Sequence, residues 1–471
     1  MIDSRFKIAH GYLEREEYAR AWPLASELLN ENPESERALY VAGCVMRQLG
    51  HIGVALQLFR RALSIQPKVP NIWMHYGACL HDTHRYEDAI DAFRVVAKAL
   101  PNDPMPWANM AGSFIQHGKP REAVEHADKS LELVKQWLAG GGDEAAASRS
   151  TFIANVARAF GCLALGRWAA GWESAAWLYG DHLTIRVYNP KEREEPQWDG
   201  SKGKTVVVQA DQGLGDMIMF AQCIPQMICD CKKVIIETDE RLVGLFQRNF
   251  PETDVYGTLQ NRVNVEWPSK YQIDAHIHIS FLGKFYRTKD EDFPKVAYLT
   301  PNAEMAAKWR KWLEQYPRPW VGLAWRGGIQ RTNEASRSLK LEEMAPFMDR
   351  GTPISLAYQD VGREIATWNV ERGHRQMIVP PLSEDDYDET VALISQLDEV
   401  VTVQTTVAHV CGALGKQATV LVNNAPQWRY CYGGDHLMWY PDSLTVHRMA
   451  PGEKTWEHVI KRAARPLALA A

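Results

Sequence analysis

The chain has 471 residues, 46% of them hydrophobic and 24% charged, which is enough for two or three cores, since one core stops growing at roughly 250–300 residues. A formal net charge of −5 argues against a nucleic-acid partner, because phosphate binding draws most of its affinity from a basic excess. The first twenty residues mix Asp, Arg, Lys and Glu among apolar ones, and no apolar run is long enough for a bilayer, so neither a signal peptide nor a membrane span is expected.

In chain order, the first third repeats itself every 34 residues. Ala21, Ala55, Ala89 and Ala123 are in register, as are Pro33, Pro67 and Pro101. Phe59 falls in line with Phe93, Gly43 with Gly77, and Trp73 with Trp107. This pattern resembles the tetratricopeptide repeat (TPR), with three well-formed units and a weaker one at the start. Small residues let two antiparallel helices approach, aromatic ones fill the space between units, and stacking is obligatory because no unit buries its apolar face alone. A break at Gly140, Gly141 and Gly142 precedes a helical pattern over 151–178, carrying Gly166, Trp168, Trp172 and Trp177, which reads as a capping hairpin. Such an array serves either as a groove for a protein partner or as a rigid platform for the next domain.

The texture changes after Pro190 and Pro196. Short β-branched runs at 205–210, 233–238 and 274–279 are each predicted as strands, the first two leading into helical stretches. After Pro317 and Pro319 the pattern restarts, with strands predicted at 320–325, 354–358, 399–403 and 418–422 and helices over 304–315 and 407–414. Alternation of this kind marks mostly parallel sheets covered by helices, whose ligands bind beyond the carboxyl ends of the strands. The eight cysteines read as reduced thiols of a cytoplasmic protein; the cluster Cys223, Cys229 and Cys231 lacks paired metal-ligand spacing, and no metal site is expected.

Three strand ends carry residues suited to chemistry. The first loop runs Asp211, Gln212, Gly213, Leu214, Gly215, Asp216; it lacks the third glycine of the dinucleotide fingerprint, yet Gly213 and Gly215 let a backbone approach a ligand. Asp216, at the helix start, is either an N-cap or a general base facing a cleft. A second loop places Gln404, Thr405 and Thr406 at the mouth of a helix, where hydroxyls and free N–H groups make an anion site or a simple cap; His409 reads as a positioning group. The third comes after Trp325, with Arg326, Gly327, Gly328, Arg331, Asn333, Arg337, Ser338 and Lys340, cations that suit a diphosphate or merely a solvated loop.

Taken in order from Gly166, these motifs resemble the heptosyltransferase-type glycosyltransferases, family 9, in the form fused to TPR arrays. The set includes Gly166, Arg167 and Trp168, Gly171 and Trp172, the loop ending in Asp216, the strand ending in Trp325, the segment 388–403, the loop with Thr405 and His409, then Trp428, Arg429, Trp439, Tyr440 and Pro441. The resemblance implies an α plus α/β multidomain chain: a TPR superhelix over 1–185, a Rossmann-like acceptor lobe over 186–315 and a Rossmann-like donor lobe over 316–471, together a GT-B fold. It implies an inverting, metal-independent transfer from a nucleotide-diphosphate sugar to an acceptor hydroxyl, without further cofactor, on a protein or glycan acceptor. Asp216 maps onto the family's base. Gly213, Gly215, Trp325, Arg331, Arg337, Lys340, Gln404, Thr405, Thr406 and His409 would hold the donor. The chain departs from the family at Gln404, where an acidic residue is usual; an amide still hydrogen-bonds but carries no charge. A non-catalytic TPR interaction protein with a degenerate transferase domain is the competing expectation. Protein O-linked N-acetylglucosamine transferase shares the layout, but its motifs fit less well.

Overall fold

The computed structural model describes residues 4–179, 195–211, 213–258, 271–328, 333–372, 376–450 and 452–464, and the chain divides between Cys162 and Leu163 into two compact units. In the first, eight helices form four pairs: α1 (Ser4–Glu14) with α2 (Tyr18–Glu31), α3 (Glu36–Gln48) with α4 (Ile52–Ile65), α5 (Pro70–Asp82) with α6 (Tyr86–Ala99), and α7 (Pro104–Gln116) with α8 (Pro120–Ala139). The in-register alanines explain the close pairing, since Ala21, Ala55, Ala89 and Ala123 are all fully enclosed. The glycines do a related job. A Cβ on Gly43 would stand 2.7 Å from the Phe59 ring, and one on Gly77 2.7 Å from the Phe93 ring, so each glycine is the seat of its own repeat's phenylalanine. The turn between paired helices repeats too: Glu16, Gly50, His84 and Gly118, each 34 residues after the last, all take left-handed backbone with φ between 59° and 82°. The glycine turn at 140–142 separates α8 from α9 (Glu144–Ala164), and α10 (Trp168–Tyr179) belongs to the second unit.

The second unit holds two parallel sheets. The first comprises β1 (Thr205–Gln209), β2 (Lys233–Asp239), β3 (Asp254–Thr258) and β4 (Ala275–His278), in spatial order β3-β2-β1-β4. The second comprises β5 (Trp320–Ala324), β6 (Thr352–Ser355), β7 (Glu399–Thr402), β8 (Ala418–Val422) and β9 (Leu444–Arg448), in order β6-β5-β7-β8-β9. β1 and β5 are buried along their whole length, as befits strands covered on both faces. In each sheet the chain first runs outward on one side of a central strand and then crosses to the other. Val207 is paired with Ile235 of β2 and His276 of β4, and Gly322 with Ile354 of β6 and Val400 of β7. The order of strands therefore reverses at β1/β4 and at β5/β7, the two places where such sheets open a crevice beyond their carboxyl ends.

Two strands escape the sequence pattern. Asp254 and Gly257 dilute β3, while β9 comes after a proline and an aspartate and looks like loop. The strand expected at 354–358 begins earlier and ends at Ser355, because Thr352 and Pro353 pair with the start of β5. The architecture is thus a helical repeat superhelix followed by an α/β region with parallel sheets. Among the described residues no helix is long and apolar enough to cross a membrane.

Candidate functional site

The β1/β4 end is organised by the helix Leu214–Ala221. Gly213 is its N-cap, and Asp216 lies in its first turn rather than capping it. Neither loop glycine is needed for its φ; each is needed for space. A Cβ on Gly213 would meet the Asp216 carboxylate at 3.0 Å, and one on Gly215 would meet the His409 ring at 3.1 Å and the Thr406 hydroxyl at 3.3 Å. The helix Leu214–Ala221 therefore abuts the helix Thr406–Ala413, which rises from the carboxyl end of β7 in the other sheet. Asp211, just before the loop, accepts the Ser280 hydroxyl and the Gly213 N–H.

Asp216 forms an ion pair with Arg429, and both side chains are largely enclosed, 23% and 15% exposed. Burial pushes the carboxyl up to about 6, against the pull of Arg429 and with a further push from Asp211. Arg337 is buried close by. It donates to the backbone carbonyl of Gln404 at 2.8 Å, and Tyr430, Arg429 and Asp216 all act on its charge.

The end of β7 is tied down by side-chain hydrogen bonds. Thr405 caps its helix by accepting the Val407 N–H at 3.2 Å. Thr402 gives its proton to the Val403 carbonyl, so the 2.9 Å contact between the two threonines must carry the Thr405 proton. The Gln404 amide is used at both ends: its nitrogen donates to Asn423 at 2.9 Å, and its oxygen accepts the Gln427 N–H at 3.2 Å. Gln427 in turn accepts from Arg429. Gln404 thus anchors, through its side chain, the turn that carries Arg429 and, through its carbonyl, Arg337.

His409 is 4% exposed and stands between Tyr430 at 3.5 Å from Nε2 and Tyr440 at 3.4 Å from Nδ1. Tyr440 reaches Tyr298 at 3.3 Å, and the Tyr298 proton goes to the Ile218 carbonyl. That last bond fixes all the others: Tyr440 donates to Tyr298, His409 Nδ1–H donates to Tyr440, and Nε2 accepts from Tyr430. Burial, aided by Arg429, pushes the imidazole down to about 3, so it is neutral and serves to orient.

The structure gathers Gly213, Gly215, Asp216, Arg337, Gln404, Thr405, Thr406 and His409 into one neighbourhood. Trp325 is elsewhere, enclosed in the core of the second sheet with its indole N–H on Glu364 at 3.1 Å. The same carboxylate holds Arg326 and the Leu341 N–H. Lys340 is exposed at the start of a 3-10 turn, where its backbone N–H meets Glu343. Arg331 and Gln212 lie outside the described residues. Sequence reasoning gave no role to Arg429 or Tyr430; Trp428 and Arg429 stood in the motif, but the partner that gives Arg429 its meaning is 213 positions away. Among the described residues no three His, Cys, Asp or Glu side chains gather as a metal ion requires.

Residues 14–96 match the family described as anaphase-promoting complex, cyclosome, subunit 3. The first unit is a TPR-like repeat array. Protein FlbA of Caulobacter vibrioides is 26% identical over 447 residues, spanning 90% of this chain and 71% of FlbA, so the similarity runs through both units. Among solved structures, the chain is similar to MamA from residue 41 onward, of Desulfovibrio magneticus RS-1, at 16% identity and a TM-score of 0.30, over 38% of this chain and 93% of that one. Another MamA crystal structure overlaps at 16% identity and a TM-score of 0.27, over 29% and 74%.

Proposed function

We propose that the second unit is a glycosyltransferase of the two-lobed GT-B kind, moving a sugar from a nucleotide-diphosphate sugar to an acceptor hydroxyl with inversion, and that the TPR-like array recruits the protein or glycan acceptor or another protein partner. One observation carries this reading: the reversal points of two separate parallel sheets meet through Gly215, bringing a largely enclosed carboxylate and two largely enclosed guanidinium groups into one place. In the transfer, the acceptor O–H proton passes to Asp216 while the acceptor oxygen forms its bond to the anomeric carbon. The bond from that carbon to the diphosphate breaks, and its electron pair leaves on a phosphate oxygen facing Arg337 and Arg429. Approach from the face opposite the leaving group inverts the centre. A carboxyl at about 6 is ionised at neutral pH yet more basic than an ordinary aspartate, as a general base requires.

Calorimetry of the full chain with UDP, GDP, ADP and CDP tests the donor site, and incubation with radiolabelled nucleotide sugars tests transfer. Asp216→Asn is expected to abolish transfer and to retain nucleotide binding. A second reading, a TPR interaction protein with a degenerate transferase unit, is favoured by the Gln404 amide, whose nitrogen and oxygen both bond within the protein where a donor contact was expected. On that reading no nucleotide binds at millimolar concentration.

A further inference from the structure

The residue that completes the site is Arg429, and its position is unusually constrained. It lies on the short turn Trp428–Tyr430, followed by Cys431 at φ 54° and ψ 170°, a left-handed conformation that a residue with a Cβ adopts only under constraint. Arg448 on β9 clamps this turn by donating to the carbonyls of Tyr430 and Cys431. The Gln404 side chain holds its other end through the Gln427 N–H. With the backbone fixed on both sides, only the long Arg429 side chain, which donates to Gln427 and pairs with Asp216, can turn toward a ligand. Besides Gln427, it holds the carboxylate assigned to take the acceptor proton. The charges facing that carboxylate are Arg429, Arg337 and Asp211, with the phenols of Tyr430 and Tyr440 beside them.

We propose that Arg429 is a latch shared between Asp216 and the donor diphosphate: it pairs with the carboxylate, and a seated diphosphate draws the guanidinium away and frees the base. The proposal rests on the transferase reading and goes beyond it by assigning an order, donor first and base release second. Two negative phosphates offer the planar guanidinium a bidentate partner stronger than one carboxylate. Removing the cation from Asp216 raises its basicity at the moment the donor is in place. Arg337 keeps its bond to the Gln404 carbonyl and is the fixed cation of the pair; Arg429, whose Gln427 contact lies two residues away on its own segment, is the one that swings.

A thermodynamic cycle tests the latch in the full chain, with inorganic pyrophosphate and then UDP, GDP and ADP as probes in calorimetry. Asp216→Asn removes the competitor and should tighten diphosphate binding by about tenfold, the worth of one partly buried ion pair. In the Arg429→Gln background the same Asp216→Asn change should alter affinity by less than about twofold. Arg429→Lys keeps a cation on the turn without the fork and preserves the fold where the Gln variant does not; there the tightening should fall to about threefold. Equal tightening in all backgrounds would mean simple charge repulsion and would overturn the latch, as would no tightening in any. Loss of diphosphate binding by the unaltered chain overturns the donor site itself, and the latch with it. Retained binding without coupling removes the latch alone.

Discussion

Replacing Asp216 by Asn makes a quantitative statement about the site that needs no substrate. Holding this carboxyl at about 6 instead of 3.8 makes its ionised form about 3 kcal/mol less favourable in the folded chain than in the unfolded one. Because the folded value is raised, the stability it confers is complete below about pH 4 and is lost as pH rises through about 6. Asparagine does not titrate, and Arg429 stays charged throughout, so losing the ion pair adds only a constant offset. The stability of the natural chain minus that of Asp216→Asn should therefore fall by about 2 kcal/mol between pH 4.5 and 7.5, the remaining loss lying at lower pH. Urea unfolding read by hydrogen exchange on peptides covering 214–221 isolates the second unit. A difference constant to within about 0.5 kcal/mol over that range, or one that grows with pH, would refute the claim that burial outweighs Arg429 at this carboxyl.

Gln404→Glu, which introduces the acidic residue usual in the glycosyltransferases that the sequence resembles, should cost about 1–3 kcal/mol at neutral pH, since a carboxylate would then face the Asn423 side-chain carbonyl; denaturant titration of the second unit reads this out. Tyr430→Phe should cost about 1 kcal/mol by leaving His409 Nε2 buried without its donor, and a null effect in the same titration would break the assigned tautomer. In the first unit, Gly77→Ala should destabilise by about 1–3 kcal/mol, its new methyl standing 2.7 Å from the Phe93 ring, while Gly112→Ala, with open space around it, should stabilise by up to about 1 kcal/mol. Equal effects of the two in thermal melts would refute the ring-seat role of Gly77.

How much the sequence discloses depends on the range of the interactions. The repeat is legible because its packing is local: Gly43 and Phe59, or Gly77 and Phe93, stand sixteen positions apart and recur with the alanines. Yet the matching turn residues Glu16 and His84 give no sign of left-handed backbone, although Gly50 and Gly118 do. In the second unit the strand ends mark the candidate site, since Asp216 and Thr405 come after short β-branched runs. Which polar group is spent on structure is another matter. Trp325, Gln404 and Thr405 all look available in a linear reading, but their donors and acceptors are claimed by Glu364, Asn423 and Thr402. Those claims depend on tertiary neighbours, and so does the pairing that defines Arg429.

The string of rings through His409 has a polarity, and that polarity holds the imidazole in one orientation. Every proton along it is committed in one direction, from Tyr430 through His409, Tyr440 and Tyr298 to the Ile218 carbonyl. Tyr430 is 1% exposed, so the string is sealed, and turning the His409 ring over would set its two carbons against the phenols and break the run on both sides.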